Sequence, residues 1–170
     1  MPEARRHFRV GGVHGWPAFS LVELVIVLVI LSAISAIAIP RYSDQVDRYR
    51  LDATRNRIAA DLEYARSIAL AESRSVKITF DEAAESYQID GAASLKGAGT
   101  AHLVDLTEEP YRADISGVSF DDPTDGADPL NELTFDGFGQ PDSGGKLTVQ
   151  AGGVSGDVVV DGDTGEITVP

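Results

Sequence analysis

Glu23 is the residue whose position most needs a chemical explanation. It stands in a block of 21 residues, 19–39, reading FSLVELVIVLVILSAISAIAI, where Ser20, Ser32 and Ser35 are the other polar side chains. An ionised carboxylate in hydrocarbon costs about 2.5–3.5 kcal/mol on insertion scales, and more without a partner. An acid kept there needs a reason, and a carboxylate near the helix end that snorkels to the interface is the plain one. Other chemistry is sparse. His102 and Asp105 are close in sequence and serines are plentiful, yet no G-x-S-x-G nucleophile elbow occurs, and two of the three histidines lie in the first 18 residues, which argues against a hydrolase and against an enzyme generally. Gly97-Ala98-Gly99 and Gly137-Phe138-Gly139 lack the third glycine and the strand-to-helix setting of a dinucleotide loop, so they read as turns. With no Gly-Lys-Ser/Thr phosphate loop the chain is not its own motor.

Two acidic runs remain. Asp121, Asp122, Asp125 and Asp128 form one, and Asp161, Asp163 and Glu166 the other. Calcium takes six to eight oxygen ligands of this kind, which makes Asp161, Asp163 and Glu166 candidate calcium ligands. The second run lacks the EF-hand spacing, and Asp, Gly and Thr between two apolar runs are also what a hairpin turn requires. No other cofactor is expected.

A helix of 21 residues rises about 30 Å, the thickness of a bilayer's hydrocarbon core, so residues 19–40 are expected to cross a membrane. Arg5, Arg6 and Arg9 precede it and belong on the cytoplasmic side, which sends the remainder across. A secretory signal peptide would also carry a basic start and an apolar region, and Ala36-Ile37-Ala38 would serve as its small-x-small cleavage site. In that case the mature protein is an exported soluble β-domain beginning at Ile39. An apolar region of about 7–15 residues is usual there, and neither this block's length nor its acid fits.

Charge excludes another class. The chain has 14 Lys+Arg against 27 Asp+Glu, a net charge of −13, and residues 75–170 hold four basic side chains against 19 acidic. Nucleic-acid binding needs a basic surface that releases counterions, so no nucleic-acid partner is expected, and a DNA-capturing role is disfavoured. The absence of cysteine excludes disulfides, a catalytic thiol and thiolate metal sites.

The residues around the junction, Trp16-Pro17-Ala18-Phe19-Ser20-Leu21-Val22-Glu23-Leu24, resemble the prepilin processing motif of type IV pilins and type II secretion pseudopilins. The resemblance implies cleavage between Ala18 and Phe19, with Ala18 standing where the family usually has Gly. It implies N-methylation of Phe19 and a role for Glu23 in filament assembly. The partners it implies are a prepilin peptidase/N-methyltransferase, other pilins or pseudopilins, an inner-membrane assembly platform and its ATPase. The location it implies is the bacterial inner membrane, with a single pass and a periplasmic C-terminal domain, followed by entry into a filament. Whether that filament is a secretion pseudopilus, a type IV pilus, or one for DNA uptake or adhesion stays open.

After the block, Val46, Tyr49 and Ala53, then Ile58, Leu62, Ala65 and Ala69 recur at three- and four-residue spacings, which predicts an amphipathic helix over 41–74. Pro40 removes one backbone hydrogen bond and is expected to bend a continuous helix rather than end it; two separate helices are the alternative. Beyond residue 75 the period changes to two. Strands are expected over 76–80, 87–89, 103–106, 115–120, 133–135, 146–150, 158–160 and 167–169, with Gly, Asp, Ser and Pro between them,. The expected class is α+β, a long N-terminal transmembrane helix continuing into an amphipathic helix packed on antiparallel β-sheets, pilin-like in arrangement. The divisions are 1–18 leader, 19–40 membrane and assembly helix, 41–74 periplasmic helix and 75–170 β-rich domain. Leu133-Thr134-Phe135 with Gly137, KLTVQ at 146–150, and the closing Gly165-Glu166-Ile167-Thr168-Val169 further resemble the GspH/FimT branch of pseudopilins and minor pilins.

Overall fold

A computed structural model describes residues 19–93, 101–121 and 131–170. The chain divides into two units, Met1–Pro40 and Arg41–Pro170. The described elements are one helix, α1 (Leu21–Glu72), and eight strands: β1 (Val76–Asp81), β2 (Ser86–Ala93), β3 (Ala101–Asp105), β4 (Asp114–Phe120), β5 (Glu132–Phe135), β6 (Gly145–Ala151), β7 (Val154–Val160) and β8 (Ile167–Thr168). The class is α+β, and each of the eight expected strands is present.

In the first unit, α1 starts where the Leu24 N–H donates to the Ser20 carbonyl at 3.1 Å. Every side chain from 19 to 36 is exposed. Ser32 and Ser35 return their hydroxyls to the carbonyls of Val29 and Leu31 at 2.8 and 2.7 Å. Their polar groups are thus satisfied within the helix, as a lipid surrounding requires.

In the second unit, α1 buries Leu51, Thr54, Arg55, Ile58, Asp61, Leu62, Ala65 and Ala69. The second half of the expected stripe is therefore the core stripe, whereas Tyr49 is 69% exposed. Nine helical residues turn the chain through about 900°, or half a revolution beyond two full turns, so Tyr49 lies opposite Ile58. The helix ends with Ser73 at φ 48° and the Arg74 N–H donating back to the Ala69 carbonyl at 3.3 Å. This is the six-to-one bond of a Schellman stop.

The strands form two antiparallel sheets of four, ordered β3-β2-β1-β5 and β4-β6-β7-β8. Alternation selects their inner faces: Val76, Ile78 and Phe80 in β1, Leu133 and Phe135 in β5, Leu147, Val149 and Ala151 in β6, and Val158 and Val160 in β7 join the helical stripe in one core. Each large side chain buried there contributes about 1.5–3 kcal/mol. Phe80 and Phe120 stack with ring centroids 5.8 Å apart, joining β1 to β4 across the two sheets. The β1–β2 turn adds a polar tie. Glu82 Oε1 accepts from the Val118 N–H at 3.0 Å, and Glu85 Oε2 accepts from that of Ile115.

One close approach fixes a glycine. Gly145 pairs with Phe120 on one side and Val160 on the other, and a methyl there would overlap the Ser119 carbonyl and lie 2.7 Å from Phe120 Cα. Both obstacles are backbone and cannot rotate away. Gly145→Ala is expected to lower stability by about 1–3 kcal/mol, read as a lower urea midpoint with an unchanged slope.

Candidate assembly site

The N-terminal residues expected to carry assembly are partly described. Ala18 lies outside the described residues. Phe19 is 74% exposed, and the apolar side chains Leu21, Val22 and Leu24 to Leu31 are exposed with it. Glu23 occupies the first turn of α1 and is also exposed. A carboxylate in a first helical turn gains about 0.3–1 kcal/mol from the partial positive charge of the terminal N–H groups, well short of the cost of placing it in hydrocarbon. The stretch is long and apolar enough to cross a membrane, and none of its most apolar window is buried in the protein. Pro40 lies within α1, which continues through it without interruption.

The second unit contains a site that the sequence reading passed over. Asp61, on the core stripe of α1, accepts at its Oδ2 from Tyr87 Oη at 2.6 Å and from Arg57 Nε at 2.9 Å, and His102 Nε2 stands 3.2 Å from the same oxygen. Helix α1 supplies Asp61 and Arg57, β2 supplies Tyr87 and β3 supplies His102. Burial, reinforced by the Asp61 carboxylate, pushes the Tyr87 hydroxyl far above the usual phenol value, so it remains a neutral donor. Burial opposes the Arg57 charge, but Asp61 and Tyr87 together hold its pKa above the ordinary value. The cluster fastens helix to sheet.

His102 and Asp105 do not meet. Three residues apart on one strand they face opposite sides. His102 is buried against Asp61, while Asp105 Oδ1 accepts from the Thr107 N–H and hydroxyl at 2.8 and 2.6 Å. Two signals were available for the missed cluster: the alternation in 101–105, and an acid at core spacing between Ile58 and Ala65.

Arginines of α1 also hold the C-terminal hairpin and the β5–β6 connection. Arg66 donates to the carbonyls of Gly139, Gly165 and Thr164 at 2.9, 2.9 and 3.0 Å. Arg55 donates to the Asp157 carbonyl at 3.1 Å and to that of Pro170. Between β7 and β8, Asp161 Oδ1 accepts from the N–H groups of Asp163 and Thr164 at 3.0 and 2.8 Å and from the Thr164 hydroxyl at 2.8 Å. These bonds from Thr164, then Asp163, hold the Asp161 carboxyl below its usual range. Glu166 is placed by its backbone, its carbonyl accepting from the Asp161 N–H at 3.0 Å. Among the described residues, no group of three or more His, Asp or Glu side chains gathers as metal donors. Residues 122–130, which include most of the other acidic run, lie outside them, as do Gly97 and Gly99.

Among solved structures, the chain resembles the type IV minor pilin FimU of Pseudomonas aeruginosa in two crystal forms. In space group P21 the identity is 16% and the TM-score 0.48, over 72% of this chain and 90% of that one. In P65 the values are 17% and 0.48, over 71% and 92%. No curated protein sequence matches. The family described as Type II transport protein GspH matches residues 54–164. That span runs from the buried stripe of α1, through the Asp61 cluster, to the Asp161 turn, and because it takes in more than half of the residues, the chain belongs to the GspH family of pilin-like type II transport proteins.

Proposed function

We propose that this protein is a minor pseudopilin or minor pilin, stored in the bacterial inner membrane by residues 19–40 and incorporated from there into a type II secretion pseudopilus or a type IV pilus-like filament. Its activity is assembly rather than catalysis. The leader, residues 1–18, stays on the cytoplasmic side until a prepilin peptidase cleaves between Ala18 and Phe19 and the same enzyme methylates the new amine. The periplasmic parts are 41–74, which holds the rest of α1 and its stop at Ser73 and Arg74, and 75–170, the β-rich domain. Pro40 joins membrane and periplasmic segments within one helix.

The observation that supports this reading is the run of exposed side chains over residues 19–36, with a single acid in the first turn of α1, in a member of this family. Moving that surface from lipid into a bundle of like helices exchanges one apolar surrounding for another, so extraction is feasible as a handover to neighbouring pilins. The work comes from a separate ATPase acting through the assembly platform. At the handover, the Glu23 carboxylate of one subunit meets the Phe19 amine of the next, and two desolvation costs are offset together.

Sequencing the N-terminus of the processed protein tests the proposal. The expected residue is N-methylphenylalanine from Phe19. A mature chain starting at Ile39, or one that keeps its first eighteen residues, overturns it.

A further inference from the structure

We propose that the first two turns of α1 after Pro40 form a lipid-headgroup site, in which Arg41 and Arg48, flanked by Tyr42 and Tyr49, bind anionic phospholipid phosphates at the outer boundary of the membrane. The inference rests on the membrane anchoring proposed above and adds a ligand class and the residues that take it.

Charge segregation is the first observation. Residues 41–57 carry five arginines against three aspartates, whereas 58–170 carry six basic side chains against 22 acidic. A basic neck thus joins an apolar segment to a strongly acidic body. Three of its arginines are engaged within the fold: Arg50 with Asp47 and Glu109, Arg55 with Asp52 and two carbonyls, and Arg57 with Asp61. Arg41 and Arg48 are exposed and have no ion pair among the described residues, although Asp44 is one turn from each. If the leader stays cytoplasmic, these arginines are on the translocated side, where the usual bias disfavours Lys and Arg. A local anionic partner accounts for their position.

Helical geometry supplies the second. At about 100° per residue, Arg48, Arg41, Gln45, Tyr49 and Tyr42 share an arc of about 120°. The tyrosines are 69% and 74% exposed, and they lie opposite the face that Ile58 buries. Asp52 falls in the same arc and faces Arg55 at 3.9 Å. Tyrosine rings favour the headgroup layer, where one end is apolar and the other wet, and arginine forks match phosphate oxygens. The acidic body is repelled by the same surface, so attraction is confined to the neck.

The chain has no cysteine, so a single spin label can be placed by Gln45→Cys or, as a reference within the apolar segment, by Ser32→Cys. The full-length labelled protein is reconstituted into vesicles of phosphatidylcholine alone or with phosphatidylglycerol, and collision with oxygen and with a water-soluble nickel chelate is measured. Each arginine near an anionic surface favours contact roughly fivefold. The label at residue 45 should therefore lose nickel access in the anionic vesicles and regain it in 0.5 M salt or with Arg41→Gln/Arg48→Gln. Equal access in both lipids, or no response to the double substitution, overturns the site while an oxygen-exposed label at residue 32 still upholds the span. A water-exposed label at residue 32 overturns the anchoring itself. Protection at residue 45 that follows protein concentration rather than lipid charge assigns the face to another chain and also overturns the site.

Discussion

Glu23→Gln is expected to leave cleavage between Ala18 and Phe19 intact while cutting recovery of the protein with other filament subunits roughly a hundredfold. The size of the effect separates two roles. If Glu23 only balances the terminal N–H groups of α1, its loss costs about 0.3–1 kcal/mol, a factor of about two to five. If it is the counter-ion of a neighbouring Phe19 amine in an apolar bundle, its loss leaves a buried cation unpaired, at about 2.5–3.5 kcal/mol or more. Every described side chain from 19 to 36 is exposed, so no group of the same segment covers Glu23 within the isolated chain, and the effect should appear in assembly rather than in folding. Glu23→Asp keeps the charge and shortens the reach by one methylene, so partial recovery is expected. Co-purification of cross-linked subunits compares both variants with the unsubstituted protein. Incorporation of Glu23→Gln at the unsubstituted level contradicts the pairing mechanism.

The parts of the fold read most readily from sequence were those set by a strong period. The apolar block, the 58-62-65-69 stripe and the alternating strands all correspond to observed elements, because burial on one face leaves a repeat in the chain. Only the second half of β7, Val158 to Val160, carries an apolar signal. Its first half is Val154-Ser155-Gly156-Asp157, with little apolar content, and it is held in register by pairing with β6. Gly156 is where the Arg55 side chain crosses the strand; a Cβ would meet the guanidinium at 3.0 Å. Such a crossing depends on residues about a hundred positions apart and leaves no local period. Tyr49 is the opposite case: its spacing from Val46 and Ala53 is helical, but spacing alone does not say which face the sheets cover, and it is exposed. The Asp61 cluster joins residues 26 and 41 positions apart, a separation that leaves no local period in the chain.

Asp61 should therefore give the largest stability effect in the second unit. Its Oδ2 serves Tyr87 and Arg57, with His102 at 3.2 Å, so Asp61→Ala leaves a buried hydroxyl, a buried imidazole and a half-buried guanidinium without their shared acceptor. Removing one partner of a buried charged group typically costs about 3–5 kcal/mol. Tyr87→Phe deletes a donor but keeps the ring among Phe80 and its neighbours, and is expected to cost about 0.5–1.5 kcal/mol. Once Asp61 is gone, Tyr87→Phe should cost less, because it then removes an unsatisfied hydroxyl, and a double-mutant cycle in detergent-solubilised full-length protein reads that coupling. The phenol supplies a further sign. Its pKa is raised in the folded state by burial and by the carboxylate beside it, so its contribution to stability is complete below the ordinary tyrosine value of about 10 and is lost as the pH rises above it. Stability should fall on that alkaline limb, less steeply for Tyr87→Phe. Identical limbs, together with an Asp61→Ala loss under about 1 kcal/mol, would show that the cluster is solvated and that apolar burial alone joins α1 to β2 and β3.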